Sequence, residues 1–164
     1  MALQIYKIAS IEVGSGGSSY LEFTSIPSGY TDLKIEVSCR NANSSGGALA
    51  LTLNSVSATV NRAYGNGNGT TGSDTYAPDG SGMTNTSGFV ANSFASNTFY
   101  IPNYTSSNQK LVSIDGVQEN NTVDTYLMMF ANIVNTTSAV STIRITPSGS
   151  SFGQYTMATL YGIL

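Results

Sequence analysis

The chain has no histidine, no tryptophan and a single cysteine among its 164 residues. Without imidazole, Ser-His-Asp and Cys-His nucleophilic catalysis and the usual His-containing zinc sites are excluded. One thiol can neither close an internal disulfide nor build a thiolate zinc cluster. Charge is scarce as well: Asp, Glu, Lys and Arg supply 9% of the sequence, against about 25% in an ordinary soluble domain. Ser, Thr, Asn and Gly must therefore carry most of the polar surface. The six basic residues are scattered from Lys7 to Arg144 and the net charge is −3, so there is no basic stripe and no nucleic-acid partner is expected. No apolar window reaches the roughly 18 residues of a membrane span. The start, MALQIYKIASIEV, lacks the basic region, apolar stretch and cleavage site of a secretory signal. Membrane insertion is not expected.

What remains is apolar and alternating. Hydrophobic residues make up 40% of the chain, too many for a disordered polymer, and the length suits one domain, 1–164, around one core. Period-two alternation dominates, and no segment places apolar residues at i, i+3, i+4 and i+7, so the expectation is an all-β chain. Leu3, Ile5, Ala9, Ile11 and Val13 share one parity, interrupted by Lys7, up to the glycines at 14, 16 and 17. Leu21 and Phe23 follow, then the turn residues Ile26-Pro27-Ser28-Gly29. The cleanest half-buried strand sets Leu33, Ile35, Val37 and Cys39 against Lys34, Glu36, Ser38 and Arg40. This makes Cys39 a small core residue rather than a reactive thiol. Leu49 to Leu53, Phe99 to Ile101, Lys110 to Val117, Val140 to Thr146 and Tyr155 to Ile163 give further strands. Tyr126 to Val134 is apolar on both parities, as in a strand covered on both faces. Eight or more short strands predict a two-sheet antiparallel sandwich, jelly-roll-like. The stretch from Gly65 to Gly88 reads as one long loop of Gly, Asn, Thr, Ser and Asp, with Tyr76, Pro78 and Met83 as its larger anchors.

Little catalytic chemistry is on offer, and no catalytic, cofactor or metal residue is assigned. Asp115, Glu119 and Asp124 could in principle form the carboxylate pair of a glycosidase, but beside Gly116 and Asn120-Asn121 they read as solvated turn charges. Asp74 and Asp79, in SDTYAPDGSG, could face a calcium ion; their spacing departs from the EF-hand pattern and they read as turn residues. The glycines at 65, 67 and 69 lack the strand-then-helix setting of a phosphate cradle. Asn-X-Ser/Thr triplets at Asn43, Asn68, Asn85, Asn103, Asn120 and Asn135 come without a secretory signal and are discounted as glycosylation sites. Tyr6, Tyr30, Tyr76, Tyr100 and Tyr104 can serve the core, an interface or a sugar platform equally well.

Two stretches, FTSIPSGYTDLKIEV at 23–37 and ATLYGIL at 158–164, resemble a group of small β-rich virion proteins of tailed phages. The likeness rests on Ile26-Pro27, Tyr30, Asp32-Leu33 and the ending Leu160-Tyr161-Gly162-Ile163. It implies a jelly-roll-type domain located in the virion, in a capsid decoration or head-fibre role, with no catalytic residues to carry over. A homotrimer, bound to other virion proteins such as the major capsid protein, is what it implies about partners. The alternative is a glycan- or cell-surface-binding module in a tail or receptor-binding component. Physically, the proline ends strand pairing, Asp32 can satisfy a turn amide, and Gly162 permits close backbone approach. The doubly apolar run at 126–134 calls for an outside partner to cover its second face. The Gly65 to Gly88 segment is expected to share that contact, because its own burial cannot offset the entropy of ordering it.

Overall fold

The computed structural model describes residues 4–44, 47–66, 73–75, 80–119 and 125–164, and every regular element among them is a β-strand. In chain order these are β1 (Ile5–Glu12), β2 (Leu21–Phe23), β3 (Asp32–Cys39), β4 (Leu49–Leu53), β5 (Val56–Asn66) and β6 (Ser73–Thr75). They continue with β7 (Ala95–Ile101), β8 (Lys110–Glu119), β9 (Thr125–Val134), β10 (Ile143–Pro147) and β11 (Met157–Ile163). The all-β, antiparallel expectation holds. Pairing follows one path, β1-β11-β3-β7-β8-β9-β5-β4-β10-β2, with β6 added beside β5. The two layers of this sandwich-like fold are thus parts of one hydrogen-bonded sheet. They divide at β5, whose first residues pair with β4 and whose remainder pairs with β9.

Alternation builds the core. Leu33, Ile35, Val37 and Cys39 of β3 are all buried, as are Leu49, Leu51 and Leu53 of β4, while Glu36 and Ser38 face water. Leu49 from the short layer and Phe99 from the broad one converge at Gly82, where an added Cβ would stand 3.1 and 3.4 Å from them. The β4–β5 turn puts Asn54 and Ser55 both at positive φ, the hairpin geometry that follows strand twist. At the N-terminal strand the expected parity holds at Ala9, Ile11 and Val13 and fails at Ile5. Ile5 is 52% exposed, and a register shift between Lys7 and Ala9 turns Ile8 as well as Ala9 toward the core. Lys7, the residue that interrupted the pattern, immediately precedes this bulge.

The expected loop at 65–88 also differs. It contains β6, and its last part is packed inside the domain rather than offered to a partner: Ser81, Thr84, Asn85 and Thr86 are buried. Strand amides hold it there. Asn97 Oδ1 accepts from the Met83 amide at 2.9 Å and its Nδ2 donates to the Met83 carbonyl at 2.7 Å, while Gln118 Nε2 donates to Thr84 O at 2.7 Å. Gly116 makes room for this amide, since a Cβ there would come within 2.8 Å of Asn97 Oδ1. At the opposite end of β8, the buried Lys110 ammonium donates to the carbonyls of Ser106 and Asn108 at 2.7 and 2.6 Å. That fastens the β7–β8 connection.

The residues that carried the family likeness turn out to be joints of the fold. Asp32 accepts from the Asn103 amide at 2.8 Å and from the Tyr100 hydroxyl at 2.5 Å. The buried Tyr104 donates its hydroxyl to Pro27 O. The Tyr30 ring lies directly over Gly162, where a Cβ would meet its Cγ at 2.3 Å. Gly162→Ala should therefore cost about 3 kcal/mol by overpacking, measured by urea denaturation, and much less in a Tyr30→Ala background; equal costs in both backgrounds would show that the ring contact is not responsible. Val37→Asp, which places an unpaired charge in the core, should cost about 4 kcal/mol or leave the chain unfolded. A folded, cooperative variant with an unchanged midpoint would refute that assignment of the inner face.

Candidate functional site

Among the described residues no carboxylate pair assembles. Asp115 is exposed on the outer face of β8. Glu119 lies four residues further along the same strand, on the order of 13 Å away at the strand rise. It is not the solvated turn charge expected from sequence, for its Oε1 accepts from the Val90 amide at 3.1 Å and from Ser93 Oγ at 2.7 Å. Arg40 grips the same connection from the other side, donating to the carbonyls of Val90 and Ser93 at 2.8 and 2.9 Å. Asp124 lies outside the described residues. So do Asp79 and Tyr76, and for Asp74 only the backbone position on β6 is described. Among the described residues, no three acidic, cysteine or histidine side chains cluster as metal ligands would.

Other candidates resolve into structure. Cys39 is buried and its thiol donates to Met83 O at 3.3 Å. Asn85 is buried and cannot carry a glycan, and Asn103 occupies a turn at positive φ. Asn43 caps its own loop through the Ser44 amide, and the exposed Asn135 accepts from Gln109; Asn68 and Asn120 lie outside the described residues. Tyr104 is core, Tyr30 covers Gly162, and Tyr6 is exposed beside Tyr30 at a ring separation of 6.1 Å.

The feature left over is the outer face of the broad layer. Register aligns its outward residues in three rows across β11, β3, β7, β8 and β9. One row reads Tyr161, Lys34, Tyr100, Ser113, Ala131, and the next Thr159, Glu36, Thr98, Asp115, Met129. The third is Met157, Ser38, Ser96, Val117, Leu127. This face has two halves of different chemistry.

On β8 and β9 it is apolar. Leu111 (59% exposed), Val117 (48%), Leu127 (55%) and Met129 (59%) lie in water, with Ala131 exposed and Ile133 half-buried among them. Leu111 pairs across with Ile133, and Val117 with Leu127. Meanwhile Met128, Phe130 and Val134 fill the core from the other side of β9. The doubly apolar run thus places one parity inside and leaves the other uncovered in the isolated chain. Asp115, opposite Met129, is the one charged side chain among these apolar residues, and Glu119 at the end of the same face is bonded to Val90 and Ser93.

On β11, β3 and β7 the face is polar and hollow. Glu36, Ser38, Ser96, Thr98, Met157, Thr159 and Tyr161 rim a depression of about 390 Å³ that reaches down to Val37. Small hydroxyl side chains at its centre and longer ones at its edge create the hollow. Lys34 Nζ lies 2.7 Å from Glu36 Oε1, so the carboxylate at the rim is neutralised in place.

No family model matches the chain, and neither a curated protein nor a solved structure does so.

Burial pushes the Cys39 thiol up from 9.0 to about 12. A folded pKa above the unfolded one adds stability that is complete below about pH 9 and is lost as pH climbs toward 12. The stability advantage of the native protein over Cys39→Ala should accordingly shrink across that window in paired denaturant melts. At pH 8 the native thiol should resist a disulfide reagent until the chain unfolds; rapid labelling of folded protein would show it is accessible.

Proposed function

We propose that this protein works by assembly, as a virion structural component of a tailed phage in a capsid decoration or head-fibre role. The observation that carries the reading is the uncovered apolar strip Leu111, Val117, Leu127, Met129 and Ile133 on β8 and β9. Apolar side chains in a contiguous patch raise the free energy of an isolated chain in water, and association removes them at roughly 25 cal/mol per Å². The occupant proposed for the strip is a second copy of this chain. The patch is almost uncharged, so a symmetric contact that places like residues near one another meets little repulsion. Symmetric closure also shields sheet edges, which a chain with 9% charged residues otherwise guards poorly. Trimeric stoichiometry and contact with the major capsid protein rest on the resemblance at 23–37 and 158–164.

Native mass spectrometry at micromolar concentration should find a homo-oligomer, a trimer by this proposal. Leu127→Asp with Met129→Asp should dissociate it to a folded monomer, because a buried charge in the contact costs several kcal/mol. A wild-type chain that is monomeric under these conditions would overturn self-assembly through this face. Mass spectrometry and cryo-EM of purified particles test the virion role separately through copy number; absence of the chain from particles would defeat it.

A further inference from the structure

We propose that the hollow on β11, β3 and β7 is a binding site for a neutral oligosaccharide. Its floor and rim bring together five hydroxyl groups, on Ser38, Ser96, Thr98, Thr159 and Tyr161, and none of them bonds to another described residue. Five uncommitted donors and acceptors within one depression suit a ligand that is itself dense in hydroxyls. Glu36 adds a carboxylate able to accept from sugar hydroxyls, and charge-assisted bonds of this kind are the stronger ones. Met157 and the Tyr161 ring supply apolar area at the edge, against which the C–H face of a pyranose can rest. Charge selects the class of ligand. Lys34 is engaged by Glu36 at 2.7 Å, Asp115 stands next to Thr98 in the same row, and on β1 the exposed Lys7 and Glu12 flank the hollow opposite Tyr161 and Met157. Three carboxylates against two ammonium groups leave net negative charge around the hollow, which disfavours a phosphorylated or sulfated ligand. A volume of about 390 Å³ lies near the lower end of ordinary small-ligand sites, and its open sides let a chain of sugars extend beyond it.

The site is separate from the apolar strip, and its test does not depend on assembly. Backbone amide shifts of the full chain are followed during titration with maltotriose, cellotriose and triacetylchitotriose, and with a sulfated trisaccharide as the anionic probe. At least one neutral trisaccharide should perturb amides at 36–38, 96–98 and 157–161. Glu36→Gln and Ser96→Leu, both at exposed strand positions, should keep the folded spectrum and weaken binding about tenfold or more. Leu127→Asp should leave the affinity unchanged. The proposal fails if no neutral trisaccharide perturbs these amides, if the sulfated probe binds more tightly, or if both groove variants bind as well as wild type. None of those results would bear on the oligomeric state, which tests the assembly reading.

Discussion

The amide of Asn97 bonds the main chain of Met83 in both directions, as a neighbouring strand would, and the segment from Gly80 to Gly88 depends on it. A chain with so few charges cannot anchor its connections by ion pairs, so it uses uncharged amides that point inward from strands. Gln118 repeats the device on Thr84, and Asn41 donates to Ser148 O at 3.1 Å. Lys110 does the same with a charge: its ammonium is buried against carbonyls rather than a carboxylate, and burial lowers its pKa. A buried donor left without acceptors costs more than the bond itself contributes, so each of these side chains fixes the path of the loop it touches.

With Asn41, Asn97, Lys110 and Gln118 committed to loops on the inside, the outer face of the broad layer is free to differ from strand to strand. Across β11, β3 and β7 it is paved with hydroxyls; across β8 and β9 it is paved with Leu, Val, Met and Ile. The boundary runs between Thr98 and Asp115, one strand spacing apart. A single continuous sheet can therefore hold two contacts of different chemistry side by side without a domain boundary between them.

Much of this was legible in the sequence. Leu33, Ile35, Val37 and Cys39 announce both their strand and its inner face, because alternation with Lys34, Glu36 and Ser38 permits one arrangement. The doubly apolar 126–134 run likewise pointed to a second apolar surface. The segment from Gly80 to Gly88 was misread as partner-ordered, because its anchors, Asn97 and Gln118, sit far away in sequence and look like ordinary polar strand residues. Their inward parity was the available signal. In β1 the odd parity is right from Ala9 onward and wrong at Ile5, because a bulge after Lys7 shifts it by one, and Lys7 itself is the only hint of that in the sequence. The hollow was not legible at all: it depends on register between β3, β7 and β11, and a sequence without known pairings carries no register.

That register has a kinetic side. β11 lies between β1 and β3 in the sheet, yet seven described strands, β4 to β10, separate it from β3 along the chain. Until β11 docks, β1 has no ladder partner and β3 presents an unpaired edge on that side. Non-local closure of this kind is slow, because loop entropy must be surrendered before any contact compensates for it. Gly162 sits in that late-arriving strand and must slide beneath the Tyr30 ring. The step that completes the sheet is thus also the one most exposed to mispairing between chains, and crowding by identical neighbours would be felt there first.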